Sequence, residues 1–156
     1  MNRTGRAITA AFTRTPARHV LRAIVPPLDR ALFSVSGGRW KLSSPAMPSL
    51  MLFTIGAKTG QRRESPLICF PQTDGSWYIC GSNFGLEHHP AWTSNLLAHP
   101  EAEVHYRRTL HAVRARMLSQ SEADALWPYL ESEWPNYRDY EKTAHRSIRV
   151  FHLVRR

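Results

Sequence analysis

Leu67-Ile68-Cys69-Phe70, then Asp74-Gly75, then Trp77-Tyr78-Ile79-Cys80: this stretch decides the fold. Asp-Gly suits the tight turn of a β-hairpin, and it stands between two short apolar runs of strand character. Working outward, Leu50–Gly56 is apolar and bounded by a glycine, and Glu64–Phe70 follows after a polar turn. Glu101–Arg108 alternates, with Ala102, Val104 and Tyr106 on one face. Leu110–Leu118 also alternates, using Leu110, Ala112, Val113 and Ala115. Ser147–Val154 closes the chain as a strand with Ile148, Val150 and Leu153 inward. Helices are few. Pro90 starts one that runs Ala91–Ala98 and stops at His99-Pro100. Ser121, Glu122 and Asp124 open a second, which carries Ala125, Leu126, Tyr129 and Leu130. A third, short one spans Asn136–Thr143. About six strands in hairpin order predict a mainly β (α+β) protein built on a small antiparallel barrel, not a parallel βαβ sheet.

The chain has 156 residues and 42% apolar composition, which suits one domain with a real core. No apolar run reaches the roughly 18 residues of a membrane-spanning helix. Cys69 and Cys80 fall within strand-like segments, so buried free thiols are the default and a disulfide the lesser reading. Free thiols fit a reducing cytoplasm. The net charge of +9 is uneven: residues 1–49 hold eight Lys/Arg against Asp29 alone, leaving only +2 for the rest. Residues 1–47 therefore separate as a basic N-terminal arm from a domain over 48–156. Ala7–Val25 and Leu28–Phe33 can be short helices there, with loops at Gly37-Gly38 and Ser43-Ser44-Pro45. Arg14, Arg18 and Arg22 break any secretory h-region. Such an arm either packs on the barrel or makes a peripheral contact, through residues 1–40, with an anionic membrane.

Two stretches carry chemistry. In Gly56-Ala57-Lys58-Thr59-Gly60-Gln61-Arg62-Arg63, two glycines, a hydroxyl and three cations sit between strands. Such a loop can offer N–H groups and charge to phosphate or carboxylate, or it is an ordinary solvated turn. It lacks Walker spacing. In Gly81-Ser82-Asn83-Phe84-Gly85 … His88-His89-Pro90-Ala91-Trp92 … Asn95, a polar loop feeds a helix N-terminus. Trp92 and Asn95 share a helical face and suit a flat heteroaromatic ligand, unless Trp92 is simply core. The eight histidines lack metal-ligand spacing, and no Gly-x-Ser-x-Gly elbow marks a hydrolase, so no metal and no serine nucleophile are expected.

These residues resemble a known family. Leu52-Phe53-Thr54-Ile55-Gly56-Ala57-Lys58-Thr59-Gly60-Gln61-Arg62-Arg63 with Pro66-Leu67 resembles the TTxGRKSGxxRxxPL signature of the deazaflavin (coenzyme F-420)-dependent nitroreductase and quinone reductase family. Gly81–Gly85, His89-Pro90-Ala91-Trp92, Asn95-Leu96 and Pro100 resemble its SxGGxxxxPxWxxNLxAxP signature, and Trp134-Pro135-Asn136-Tyr137-Arg138-Asp139-Tyr140 its YPxYxxY segment. The resemblance spans about residues 48–156. It implies a split β-barrel related to flavin-mononucleotide-binding proteins. It also implies a cytoplasmic or membrane-peripheral actinobacterial oxidoreductase. Reduced coenzyme F-420 would be the hydride donor, a quinone or nitro compound the acceptor, and nucleic acid no partner. A non-catalytic coenzyme or flavin carrier is the alternative. By the resemblance, Lys58 and Arg63 hold the coenzyme's anionic tail, Thr59 and Gly60 offer N–H groups to it, and Pro66 belongs to the same signature. Ser82, Asn83, Phe84 and Gly85 border the ring or phosphate, Trp92 and Asn95 complete the groove, and Ser82, Tyr137 and Tyr140 are the catalytic candidates. Phe84, Trp134, Tyr137 and Tyr140 line the acceptor pocket. The chain departs from the family at Ala57 (usually arginine), Asn83 (lysine in some members), Phe84 (usually glycine) and Trp134 (usually tyrosine). Arg62, beside Arg63, is expected to compensate for Ala57.

Overall fold

The computed structural model describes Leu28, residues 48–134 and residues 137–156. The helices and loops expected over residues 1–47 therefore lie outside the described residues, apart from Leu28, which is helical and exposed. The described strands are β1 (Ser49–Ile55), β2 (Arg62–Ile68), β3 (Phe70–Pro71), β4 (Trp77–Cys80), β5 (Glu101–Tyr106), β6 (Thr109–Met117) and β7 (Val150–Arg155). Between them lie a 3-10 turn (Asn83–Gly85) and helices α1 (Ala91–Ala98), α2 (Gln120–Glu133) and α3 (Tyr137–Ala144).

All seven strands form one sheet in the order β2-β1-β5-β6-β7-β4-β3, and every pairing is antiparallel. Its first and last members, β2 and β3, are consecutive in the chain and separated by Cys69 alone. Ile68 still pairs with Ser49 on β1, whereas Phe70 pairs with Tyr78 on β4. The Cys69 N–H donates instead to the Pro48 carbonyl at 2.9 Å. One covalent strand thus turns a corner and brings the ends of the sheet together, giving a split barrel with little free edge. This corner divides the expected Glu64–Phe70 strand and raises the count from about six to seven. Pro66, which has no N–H to donate, sits on β2 opposite Met51.

Side-chain alternation sorts the apolar residues into two layers. On β4, Trp77 and Ile79 enter the barrel with Leu50, Leu52, Val104 and Leu153. Tyr78 and Cys80 face the other way, into a layer formed with Trp127, Leu130, Trp134, Tyr137 and Tyr140. The same rule corrects the reading of Leu110–Leu118. A strand sends one parity inward, so Val113 and Ala115 are buried while Leu110 and Ala112 face out. Helix α2 starts at a capping box: the Ser119 hydroxyl accepts from Glu122 N–H at 3.3 Å, and the Glu122 carboxylate accepts from Ser119 N–H at 2.8 Å. Its buried face is Ala123, Trp127 and Leu130, so Ala125 and Tyr129, expected inside, are exposed. Cys69 and Cys80 are free thiols, and the Asp74–Gly75 hairpin joins β3 to β4 as expected.

Candidate functional site

The β1–β2 loop is folded by its own backbone. Gly56 N–H donates to Gln61 O at 2.8 Å, and both Thr59 and Gly60 N–H donate to Gly56 O, at 3.2 and 2.8 Å. Those last two donors are therefore engaged within the loop. Gly56 is needed for close approach, since a Cβ there would stand 2.6 Å from Thr59 Oγ1. The cations separate by strand alternation. Arg62 turns to the outer face, pairing with Glu103 at 2.8 Å over the Phe53 ring. Arg63 turns to the loop, donating to Gln61 Oε1 at 3.1 Å and Thr59 Oγ1 at 3.4 Å. Arg62 is thus engaged with Glu103 rather than with the loop at Ala57. Lys58 and Arg63 are exposed, and among the described residues neither has a carboxylate partner.

The second loop, residues 81–90, leaves β4 and enters α1. Asn83, Phe84 and Gly85 all have left-handed backbones, with φ of 50°, 55° and 74°. Glycine takes that conformation without strain and phenylalanine does not. The loop wraps the half-buried Arg146 guanidinium, which donates to Leu86 O (3.0 Å), Gly81 O (3.3 Å), Ser82 O (3.0 Å) and His88 O (3.3 Å). Its Nη1 also meets His89 Nδ1 at 3.0 Å and donates to Ser147 O at 3.2 Å. A guanidinium only donates, so His89 Nδ1 accepts and the ring is neutral. Burial, then the charges of Arg146 and Arg149, hold its pKa below the usual histidine value. Sequence reasoning missed Arg146, which sits in an unmarked segment before β7.

Helix α1 ties the two loops together. Asn95, 7% exposed, accepts from Ala57 N–H through Oδ1 at 3.0 Å and donates through Nδ2 to Thr54 Oγ1 at 3.0 Å. The amide therefore holds the first loop from beneath. Near the other end, the Thr93 hydroxyl donates to Pro90 O at 2.8 Å and accepts from Arg149 at 3.2 Å. Trp92 is 6% exposed and packs on Phe151, ring centroids 5.6 Å apart. It packs in the barrel core, the structural alternative that the sequence left open for it.

Trp134, Tyr137 and Tyr140 are brought together as expected, but as a packed layer: they are 6%, 3% and 7% exposed. Tyr137 packs between Phe70, Trp127 and Tyr140, with centroids 5.9–6.3 Å away. Its phenol lies in the same buried layer as Cys80, and burial raises its pKa well above the usual phenol value. Burial also pushes the Cys80 thiol up to about 12. Tyr137 is thus a buried phenol that stays protonated across the neutral range. The 3-10 turn does pack on α3, for a Cβ on Gly85 would meet Tyr140 at 3.3 Å. Ser82 is half-buried on the same loop. A separate trio, Asp74–Ser76–His152, has the carboxylate on the serine (2.6 Å) and the imidazole on the far side of the same hydroxyl (2.8 Å). With Ser76 buried, it locks the hairpin to β7 and cannot run a hydrolytic relay.

The family described as F-420H(2)-dependent quinone reductase matches residues 29–154, starting inside the basic N-terminal segment. An F-420H(2)-dependent quinone reductase of Mycobacterium tuberculosis is 32% identical over 133 residues, covering 83% of this chain and 89% of that protein. A solved structure described as an F-420-H2 dependent reductase superposes with a TM-score of 0.61 at 29% identity, covering 69% of this chain and 94% of that one. Another, described as a domain-swapped dimer, gives 0.64 at 26% identity, covering 82% and 99%.

Proposed function

Because the chain belongs to the family of F-420H(2)-dependent quinone reductases, we propose that it seats its coenzyme across the two loops that α1 joins and reduces a quinone there. It is an F-420H2-dependent oxidoreductase, and reduced coenzyme F-420 is its cofactor. The observation that carries the site is the pair Lys58 and Arg63: exposed, free of carboxylate partners among the described residues, and set at a loop that Asn95 anchors. Those cations suit phosphate and carboxylate groups of the coenzyme. When bound, the reduced coenzyme supplies the hydride that the acceptor takes up.

The chain's own residues bind and orient. Lys58 and Arg63 hold the anionic end. Ser82, Asn83 and Gly85 border the ring, and Phe84 offers an aromatic face to a planar acceptor. Trp134, Tyr137 and Tyr140 support that loop from behind, so the proton that follows the hydride comes from water. Quinones are the first acceptor class and nitro compounds the second. Among the described residues, no helix is long and apolar enough to cross a membrane. A lipid-soluble quinone would be reached through the basic segment at residues 1–40 lying on an anionic surface.

The test is a titration with coenzyme F-420, then menadione-dependent oxidation of the reduced form, in wild type and in Lys58→Ala/Arg63→Ala. A coenzyme KM raised tenfold or more with kcat retained supports the site. Unchanged kinetics in the double variant remove it.

A further inference from the structure

Arg146 is unusual for a charged residue in the described structure: it is half-buried, and its bonds go to backbone carbonyls and one imidazole rather than to a carboxylate. Four of those carbonyls belong to one loop: Gly81, Ser82, Leu86 and His88. None of the described peptide bonds is cis. In a planar trans peptide, the C=O of one residue and the N–H of the next point in opposite directions. Drawing those carbonyls onto the guanidinium therefore turns the N–H groups of Ser82, Asn83, Glu87 and His89 away from it. The neighbouring N–H groups of Gly81, Gly85 and Leu86 are used inside the protein, by Arg149 O, Ser82 O and Asn83 O. The Ser82 and Asn83 N–H groups that Arg146 orients are thus not among those used inside the loop, and a positive charge stands behind them.

We propose that Arg146 is a positioning residue that holds the Asn83–Phe84–Gly85 backbone left-handed and aims the Ser82 and Asn83 N–H groups at an oxygen of the bound coenzyme. This rests on the coenzyme site argued above. The oxygen is a ring carbonyl or a phosphate; both are acceptors, and both suit a donor pair backed by positive charge. The strain supports the idea. Phe84 keeps φ 55° and ψ 31° where glycine would be comfortable, and the cage of carbonyls around Arg146 supplies the restraint. His145, also left-handed at φ 50°, ends α3 and delivers Arg146 to the loop. Lysine cannot replace it, since one ammonium cannot span acceptors spread around a planar fork.

The experiment is amide NMR of the full chain, with coenzyme F-420 and then Arg146→Lys and Arg146→Ala. In wild type, Ser82 and Asn83 amides should shift on titration together with Lys58 and Arg63. Shifts at Lys58 and Arg63 without Ser82 and Asn83 would overturn the inference and leave the coenzyme site standing. No shifts anywhere would remove the coenzyme site itself. In Arg146→Lys, the Phe84 coupling constant and Cβ shift should lose their left-handed values, and coenzyme KM should rise at least tenfold with kcat changed less. Added guanidinium, but not matched sodium chloride, should restore part of that loss in Arg146→Ala. A left-handed Phe84 and an unchanged KM in Arg146→Lys would overturn the proposal, and that variant decides the matter should Arg146→Ala fail to fold.

Discussion

Asn95→Ala should damage both stability and coenzyme binding, although Asn95 need touch no ligand. The side chain is 7% exposed and makes two bonds of 3.0 Å, one to Ala57 N–H and one to the hydroxyl of Thr54, which is 2% exposed. Each bond contributes about 1 kcal/mol net, and stranding a buried partner adds about 1–2 kcal/mol, so the loss should be about 2–4 kcal/mol. For a domain of this size that is about 5–15 °C in Tm. Freed from Asn95, the loop must be ordered again by the coenzyme, and a tenfold rise in KM corresponds to about 1.4 kcal/mol. Asn95→Asp keeps the acceptor for Ala57 and should bind coenzyme better than Asn95→Ala. Thr54→Val removes only the second bond, so its effect and that of Asn95→Ala should be markedly non-additive. Urea unfolding gives the stabilities and coenzyme fluorescence gives the binding. A stability loss under about 0.5 kcal/mol, or strict additivity with Thr54→Val, would refute the reasoning.

Tyr137→Phe should leave kcat within about threefold and the pH–rate profile between pH 6 and 9 unchanged, since burial keeps the phenol protonated throughout that range; a tenfold fall in kcat would return the phenol to the chemistry. Cys80, pushed up to about 12 by burial, and the buried Cys69 should resist a thiol reagent at pH 8 until the protein unfolds, and fast native labelling of either would contradict this packing. Ser119→Ala should lower stability by about 1 kcal/mol through loss of the α2 cap. Glu122 is held down to about 2 by Arg116 first and Ser119 next, so its contribution is present above pH 4.5 and fades as pH falls toward 2. The stability gap between wild type and Glu122→Gln in urea should therefore be wider at pH 6 than at pH 2.

The strands were legible because turn chemistry is local: Asp74-Gly75, Gly56 and Pro100 each end a run where the structure ends one. The corner at Cys69 was not, because it depends on Pro48, far away in sequence, taking the Cys69 N–H. Phase was lost where large residues compete. Trp127, not Ala125, sets the buried face of α2, and the packing against Tyr137 that decides it is tertiary. Lys58, Arg62 and Arg63 were all legible as loop cations, but sorting Arg62 from the other two requires knowing which way the strand alternates. Arg146 left no trace in the sequence for a physical reason: its partners are carbonyl groups, and every residue has one. Trp92 and Tyr137 show the same limit of sequence, since an aromatic in a signature can serve the ligand or the layer beneath it, and their burial is decided by tertiary packing.

The closure of the barrel explains why the site lies where it does. β1 and β4 carry the two loops, and in the sheet order they are four positions apart, through β5, β6 and β7. In a flat sheet that is about 19 Å, too far for one short helix to serve both loops. Yet Asn95 on α1 grips Ala57 at 3.0 Å, and Thr93 on the same helix would stand 2.8 Å from a Cβ on Gly81. Two residues of a helix span only about 3 Å along its axis. The sheet must therefore be rolled until both loops reach one helix, and the turn through Cys69 is what rolls it. A bulkier residue at Gly81 would lift α1 from β4 and leave it on β1, separating the loops while each kept its own internal bonds. Gly81→Val should accordingly weaken coenzyme binding far more than it disturbs the β1–β2 loop, whose amide shifts should stay near wild type.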